Sequence, residues 1–246
     1  MNGQYRYQIS FGYRLTPAVK WLIIINAAVY FLQMILRFNP LLEARFIYLF
    51  GLVPNLVNKY LMLWQFGTYL FLHGSFLHIF VNMFALWMFG SQIESAWGSK
   101  GFLKYYFITG LGAGLASYLL SFHSPIPTIG ASGSIYGILI AFAFLYPDRK
   151  ILLFFILPVR AITVVLLYGV LEFFGSLQPG SMVSHVAHLG GMVIGMLYLL
   201  LIKRIPFPDL FSGFKKILKR IRLKQLEKEY KKMQDENDQD DKPVMH

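Results

Sequence analysis

The sequence predicts an all-α polytopic membrane protein built as a bundle of six transmembrane helices, on three observations. Hydrophobic residues make up 56% of the 246 and charged residues only 14%, against about 45–50% and 25% in soluble domains. Six apolar segments recur along the chain, separated by polar or glycine- and proline-containing connections. Lysine and arginine gather in alternate connections, as they do when successive spans cross in opposite directions.

The first span runs from about Lys20 to Leu36. Arg6, Arg14 and Lys20 precede it and no small-residue cleavage site follows, so it reads as a retained span rather than a signal peptide. The second is Leu77–Gln92, the third Phe102–Ser121 and the fourth Ser132–Tyr146. The fifth lies within Ala161–Ser176 and the sixth in Ser184–Ile202. Spans of about 16 residues reach roughly 25 Å, slightly short of the hydrocarbon core, which is tolerated where the bilayer thins or protein and water receive the helix ends.

Orientation follows from the connections. The N-terminal segment, the Lys100/Lys104 turn, the Arg149-Lys150 turn and the tail are basic, whereas 121–130 and 177–184 carry no Lys, Arg, Asp or Glu. The uncharged pair faces outward, so both flanking segments are expected in the cytoplasm. The connection Arg37–Leu72 mixes Pro40, Glu43, Arg45, Pro54 and Lys59 with apolar residues. It reads as an outer-leaflet element anchored by Trp64 and Tyr69. Ile151–Arg160 is expected to be interfacial too, since Pro158 and Arg160 are costly at mid-bilayer.

Three parts are therefore expected: a cytoplasmic segment 1–19, a six-span core 20–202, and a tail 203–246. The net charge of +11 is concentrated at Lys203–Lys224, directly after a span, which marks the cytoplasmic side rather than a nucleic-acid partner. Leu210, Phe214, Ile217 and Ile221 fall at helical spacing among lysines, so the tail either docks on an anionic membrane face or is a solvated helix. Asp235–Asp241 is acidic, and the final dozen residues are expected to be disordered. Cysteine is absent, which excludes disulfides, thiolate chemistry and cysteine-held metals.

Polar groups inside apolar segments are expensive and point to function. Gly130-Ala131-Ser132-Gly133 follows Ser124-Pro125-Ile126-Pro127-Thr128. The prolines keep the chain irregular until a helix starts near Ser132, where free backbone N–H groups flank the hydroxyl. That suits an oxyanion as well as a plain serine N-cap. His188, Gly191 and Gly195 share one helical face, as do Gly133 and Gly137, with Tyr136 adjacent. Small faces let helices approach closely, and their meeting brings His188 to Ser132 as its base. A histidine within a span has two further uses, bridging helices and binding a metal. His78 and Asn82, four apart and preceded by His73, supply hydrogen-bond donors suited to an oxyanion. Aspartate is missing from all six segments, and Glu94 and Glu172 stand near span ends. A two-residue serine–histidine machine is therefore expected in place of a triad. The soluble nucleophile elbow needs a strand before the serine, which the proline-broken stretch does not offer.

These residues together resemble the rhomboid family of intramembrane serine proteases. The likeness covers Lys20–Ile202 and rests on Trp64, His73, His78, Asn82, Glu94, Gly98, Gly130-Ala131-Ser132-Gly133, Tyr136, His188, Gly191 and Gly195. It implies a nucleophile at Ser132, a general base at His188, and an oxyanion hole of His78, Asn82 and the Ser132 N–H. Tyr136 then packs on the His188 ring, Glu94 is a structural residue at the cytoplasmic end, and no metal or cofactor takes part. It implies a water-accessible cavity open to the extracytoplasmic side, substrates that are transmembrane segments of other proteins, and a bacterial inner membrane. Substrate would enter between the second and fifth spans under a movable cap at 177–184. Gln65 replaces an arginine common in the family, and His185 is extra and expected to line the cavity mouth. The alternatives are an inactive relative that binds client helices and a small transporter. The latter lacks the expected internal repeat.

Overall fold

The structure is a computed structural model, and it describes residues 14–153, 156–177, 185–205 and 219–230. Two compact units divide the chain, Met1–Phe207 and Pro208–His246. In the second, residues 219–230 form a helix exposed along its length. Leu210, Phe214 and Ile217, the acidic run 235–241, the expected disordered end and nearly all of the 177–184 cap lie outside the described residues.

The first unit is helical, and proline sets several of its starts. Pro17, Pro40 and Pro54 occupy the first turns of α1 (Pro17–Leu36), α2 (Pro40–Phe50) and α3 (Pro54–Tyr60), where a missing N–H costs nothing. Asn39 caps α2 by accepting from the N–H groups of Leu41 and Leu42. A short α4 (Gln65–Thr68) and a 3-10 turn lead to α5 (Phe76–Ala85), whose cap is Ser75. A π-helical turn, Leu86–Gly90, joins it to α6 (Ser91–Leu120).

Three stretches are long and apolar enough to cross a membrane: Pro17–Leu36, Phe76–Leu120 and His185–Ile202. The second is 45 residues long, about 67 Å if straight, more than twice a bilayer core. It breaks at Gly98, where φ is 72° and ψ 162°, a conformation open to glycine at little cost. The chain doubles back there: a Cβ on Gly90 would meet the Phe102 ring at 3.4 Å. Two shorter apolar helices, α7 (Ser132–Leu145) and α8 (Ala161–Ser176), precede α9 (His185–Leu197).

Large apolar side chains cover the outside of the molecule, and several polar groups are buried within it. On α1, Trp21, Ile24, Ile25, Phe31 and Ile35 are exposed while Asn26 and Gln33 are fully buried. On α8, Leu166, Leu167, Val170, Leu171, Phe173 and Phe174 are exposed while Glu172 is buried. Outward apolar faces over inward polar groups suit a hydrocarbon solvent. This is an all-α membrane protein. Helix α7 sits innermost: no residue of it is exposed, and its main neighbours are α6 and α9. A helix that is apolar on every face is expected to be enclosed in this way.

The run expected to be interfacial is not helical. It forms a two-stranded antiparallel hairpin, β1 (Lys150–Leu153) with β2 (Leu157–Arg160), pairing Lys150 with Arg160 and Ile151 with Val159. The β-branched pair favours the extended form, and Arg160 bonds Asp148 at the hairpin base. Tyr69 is also a correction. It is buried, donating to the Gly110 carbonyl at 2.7 Å, and is no interface anchor. Trp64 is half exposed and donates to the Leu49 carbonyl at 2.9 Å.

Candidate active site

The loop before α7 is fixed by the outer element rather than by its own residues. Leu52 and Thr128 exchange two backbone hydrogen bonds, at 3.0 and 2.9 Å, and the Gly130 N–H donates to the Tyr69 carbonyl at 2.9 Å. Gln65 is the brace behind this contact. Its buried side chain accepts from the Val53 N–H at 2.9 Å and donates to the Tyr48 carbonyl at 2.8 Å. The loop therefore keeps an anchor at the position where the family often has arginine. Gly130 takes φ +120°, and the chain then enters α7 at Ser132.

Close helix packing brings the histidine across. A Cβ on Gly191 would lie 2.0 Å from the Gly133 carbonyl oxygen, and one on Gly195 would lie 3.1 Å from the Gly137 Cα. The α9 glycines thus admit the α7 backbone. The missing side chains of Gly133 and Gly137 point instead to Ala113 and Thr109 of α6. With α9 pressed this close, His188 Nε2 lies 2.7 Å from Ser132 Oγ. The Tyr136 ring stacks on the imidazole, centroids 4.4 Å apart and planes 18° apart.

His78 and Asn82 converge on Gly130, two residues before Ser132. A Cβ on Gly130 would meet His78 Nε2 at 2.8 Å and Asn82 Nδ2 at 3.8 Å. The Gly74 N–H donates to His78 Nδ1 at 3.4 Å, which leaves the ring proton on Nε2, the nitrogen facing Gly130. The buried Asn82 Nδ2 has no hydrogen-bond partner among the described residues. Two side-chain donors therefore stand beside Gly130. His73 is one step back: its backbone N–H donates to Gln33 Oε1 at 3.0 Å, and its ring meets that of His78 edge-on at 5.0 Å. Burial, then the neighbouring His78, lowers the His73 ring to about 3, which keeps it neutral.

An acid does reach this group, contrary to the expectation of a two-residue machine. Glu172 Oε2 lies 3.0 Å from His188 Nδ1. Among the described residues Nδ1 has no aligned hydrogen bond, so the contact is a close approach of the carboxylate to the ring rather than a charge-relay bond. The same Oε2 is 2.6 Å from His185 Nδ1, and Tyr136 donates its hydroxyl to Oε1. His185 thus holds the carboxylate. The sequence did carry a signal: Glu172 is the lone charge in Ala161–Ser176, and a solitary acid in an apolar helix is a functional candidate by default. What the sequence does not tell is which helix end it meets. Glu172, His185 and His188 also form a three-ligand group able to hold a metal ion, their donor atoms all within 4.8 Å of one another.

Glu94 belongs to the scaffold. Its carboxylate accepts from the N–H groups of Ala18 and Val19, at 2.9 Å each, from Ser99 Oγ at 2.6 Å, and from the Thr16 hydroxyl. It caps α1 from a distant part of the chain, meeting the orphan donors and positive end of that helix.

Fold and geometry together define a class: a helical membrane protein with a serine hydroxyl hydrogen-bonded to a buried imidazole in its interior. A family model described as the Rhomboid domain matches residues 60–205. The chain is 30% identical over 208 residues to Rhomboid-like protein 11, chloroplastic, of Arabidopsis thaliana, covering 80% of this chain and 69% of that protein. It is 34% identical over 137 residues to Rhomboid protein 1, mitochondrial, of Saccharomyces cerevisiae, covering 52% and 38% respectively. It is 29% identical over 135 residues to Rhomboid protease GluP of Bacillus subtilis, covering 54% and 24%. The match thus spans well under half the length of the last two relatives. The chain belongs to the rhomboid family.

Proposed function

We propose that the protein is an intramembrane serine endopeptidase that cleaves transmembrane segments of other membrane proteins. The observation that carries this is the 2.7 Å approach of His188 Nε2 to Ser132 Oγ, the geometry a serine needs to be activated by a base. The serine oxygen attacks the scissile carbonyl as its proton passes to Nε2. The oxyanion then meets His78 Nε2–H, Asn82 Nδ2–H and the Ser132 backbone N–H, preorganised donors aimed where charge develops. His188 returns the proton to the leaving amine, and water releases the acyl group by the reverse sequence. Glu172, beside Nδ1, balances the charge on the imidazolium while it lasts.

The finer topology belongs to the same reading. Six spans follow if the 45-residue stretch counts as two crossings about Gly98 and α7 and α8 as one each. The basic turns support cytoplasmic flanking segments in a bacterial inner membrane, with the cavity open on the opposite side. The stacked rings of Phe76, Phe80 and Phe84, with centroids 6.1 Å apart at each step and the first two exposed, support substrate entry between α5 and α8. The test is labelling of the purified chain by a fluorophosphonate, together with cleavage of a membrane-inserted reporter helix. Labelling and cleavage must both depend on Ser132 and His188. A chain that binds the helix but does neither is a client-binding relative.

A further inference from the structure

We propose that Glu172, His185 and His188 form a binding site for a divalent cation of the zinc class, and that an ion bound there switches the Ser132–His188 pair off. The switch rests on the protease reading above; the binding does not.

The donor atoms already converge. Each residue offers one, and all lie within 4.8 Å of one another. His185 and His188 are three apart on α9, so they share a face, and both turn Nδ1 toward the same oxygen, Glu172 Oε2, at 2.6 and 3.0 Å. His188 is nine-tenths buried, yet its Nδ1 has no aligned hydrogen bond among the described residues. A cation can take this nitrogen by displacing its proton, with no aligned hydrogen bond to break. Tyr136 holds the carboxylate from behind through Oε1 and stacks on His188, the outer support that orients metal ligands.

The chemistry selects the ion. Two imidazoles and one carboxylate suit zinc, and such sets leave a fourth position for water. Calcium and magnesium prefer all-oxygen sites. Zinc holds nitrogen and oxygen at about 2.0–2.2 Å, which puts tetrahedral donors about 3.3 Å apart. Oε2 must then withdraw about 0.7 Å from His185 and about 0.3 Å from His188, and the two imidazole nitrogens, within 4.8 Å of each other, close towards the same spacing.

The consequence is a matter of tautomer. To accept the Ser132 proton, neutral His188 carries its hydrogen on Nδ1 and offers the Nε2 lone pair. A cation on Nδ1 uses that nitrogen's lone pair, so the ring's single hydrogen sits on Nε2, facing Ser132 Oγ. The base is then capped at the atom that must receive the proton. A chelator removes the ion and restores the productive form.

The test uses the full chain in detergent with zinc ion alone. Binding is measured calorimetrically on Ser132→Ala, which does no chemistry. One ion per chain is expected, with affinity reduced at least tenfold by His185→Ala and by Glu172→Gln; thermal melts check that each variant is folded. In parallel, zinc should block fluorophosphonate labelling of Ser132 in the unaltered chain, and a chelator should restore it. His185→Ala should need at least tenfold more zinc for half-block, scored against its own metal-free rate. Absence of stoichiometric binding, or binding unchanged by both substitutions, overturns the site. Binding through these residues without any effect on labelling overturns the switch. A chain that takes up zinc through them but never labels, even metal-free, keeps the site and removes the protease reading.

Discussion

The Glu172 carboxylate lies 3.0 Å from His188 Nδ1, on the edge of the imidazole opposite the one that meets Ser132. The histidine is thus held between a hydroxyl that gives up a proton and an anion that tolerates its arrival. A charge-assisted contact is worth about 1.5–3 kcal/mol, and each 1.4 kcal/mol is about tenfold in rate. Glu172→Gln should therefore lower kcat about 10- to 100-fold with KM little changed. Glu172→Asp should recover part of the loss. Equal rates for wild type and Glu172→Gln would show that the carboxylate has no part in the chemistry.

Ser132→Ala should remove fluorophosphonate labelling and reporter cleavage while leaving the melting temperature near that of wild type. The serine side chain is part-buried and makes one hydrogen bond, to His188, so little packing is lost with it. Residual cleavage close to the wild-type rate would end the protease reading.

Asn82→Ala and His78→Ala should each cost about 10²–10³ in kcat, the usual effect of removing one oxyanion donor. The double variant should lose less than the product of the two, because both donors serve one oxygen. Steady-state cleavage of the reporter helix measures all three. Asn82 Nδ2 has no hydrogen-bond partner among the described residues, which makes the expectation specific: its removal should not reduce stability.

Gly191→Ala should destabilise the fold by at least the ~1–3 kcal/mol of ordinary overpacking. The added Cβ would stand 2.0 Å from a backbone carbonyl oxygen that no side-chain rotation moves. Thermal unfolding in detergent reads this directly. Labelling should fall with it, since separating α9 from α7 draws His188 away from Ser132.

Glu94→Gln should weaken the seating of α1 by about 1–3 kcal/mol, because charge-assisted bonds to Ala18, Val19, Ser99 and Thr16 are replaced by fewer neutral ones. Protease nicking near residue 17 should rise, while folded molecules still label at Ser132. Unchanged susceptibility would show that α1 is held by its apolar packing alone.

Much of this was legible in the sequence, for reasons tied to particular residues. Gly191 and Gly195 at helical spacing announce a close helix contact, and the contact is there. The prolines before Gly130 announce an irregular approach to Ser132, and the approach is irregular. Glu172 was underweighted because an acid at a helix end has many neighbours open to it, and distance along the chain does not choose among them. Tyr69 was misplaced for a related reason: tyrosine suits both an interface and a hydrogen-bonded interior, and only the Gly110 carbonyl decides. The β1–β2 hairpin was missed because short apolar runs with β-branched residues read equally as strand or helix end.

Helix α7 is 14 residues long, about 21 Å, and none of its residues is exposed. It falls roughly 9 Å short of a ~30 Å hydrocarbon layer. An extended chain covers that gap in about three residues. The reactive hydroxyl at the end of so short a post would be offered to segments able to unravel by about one turn.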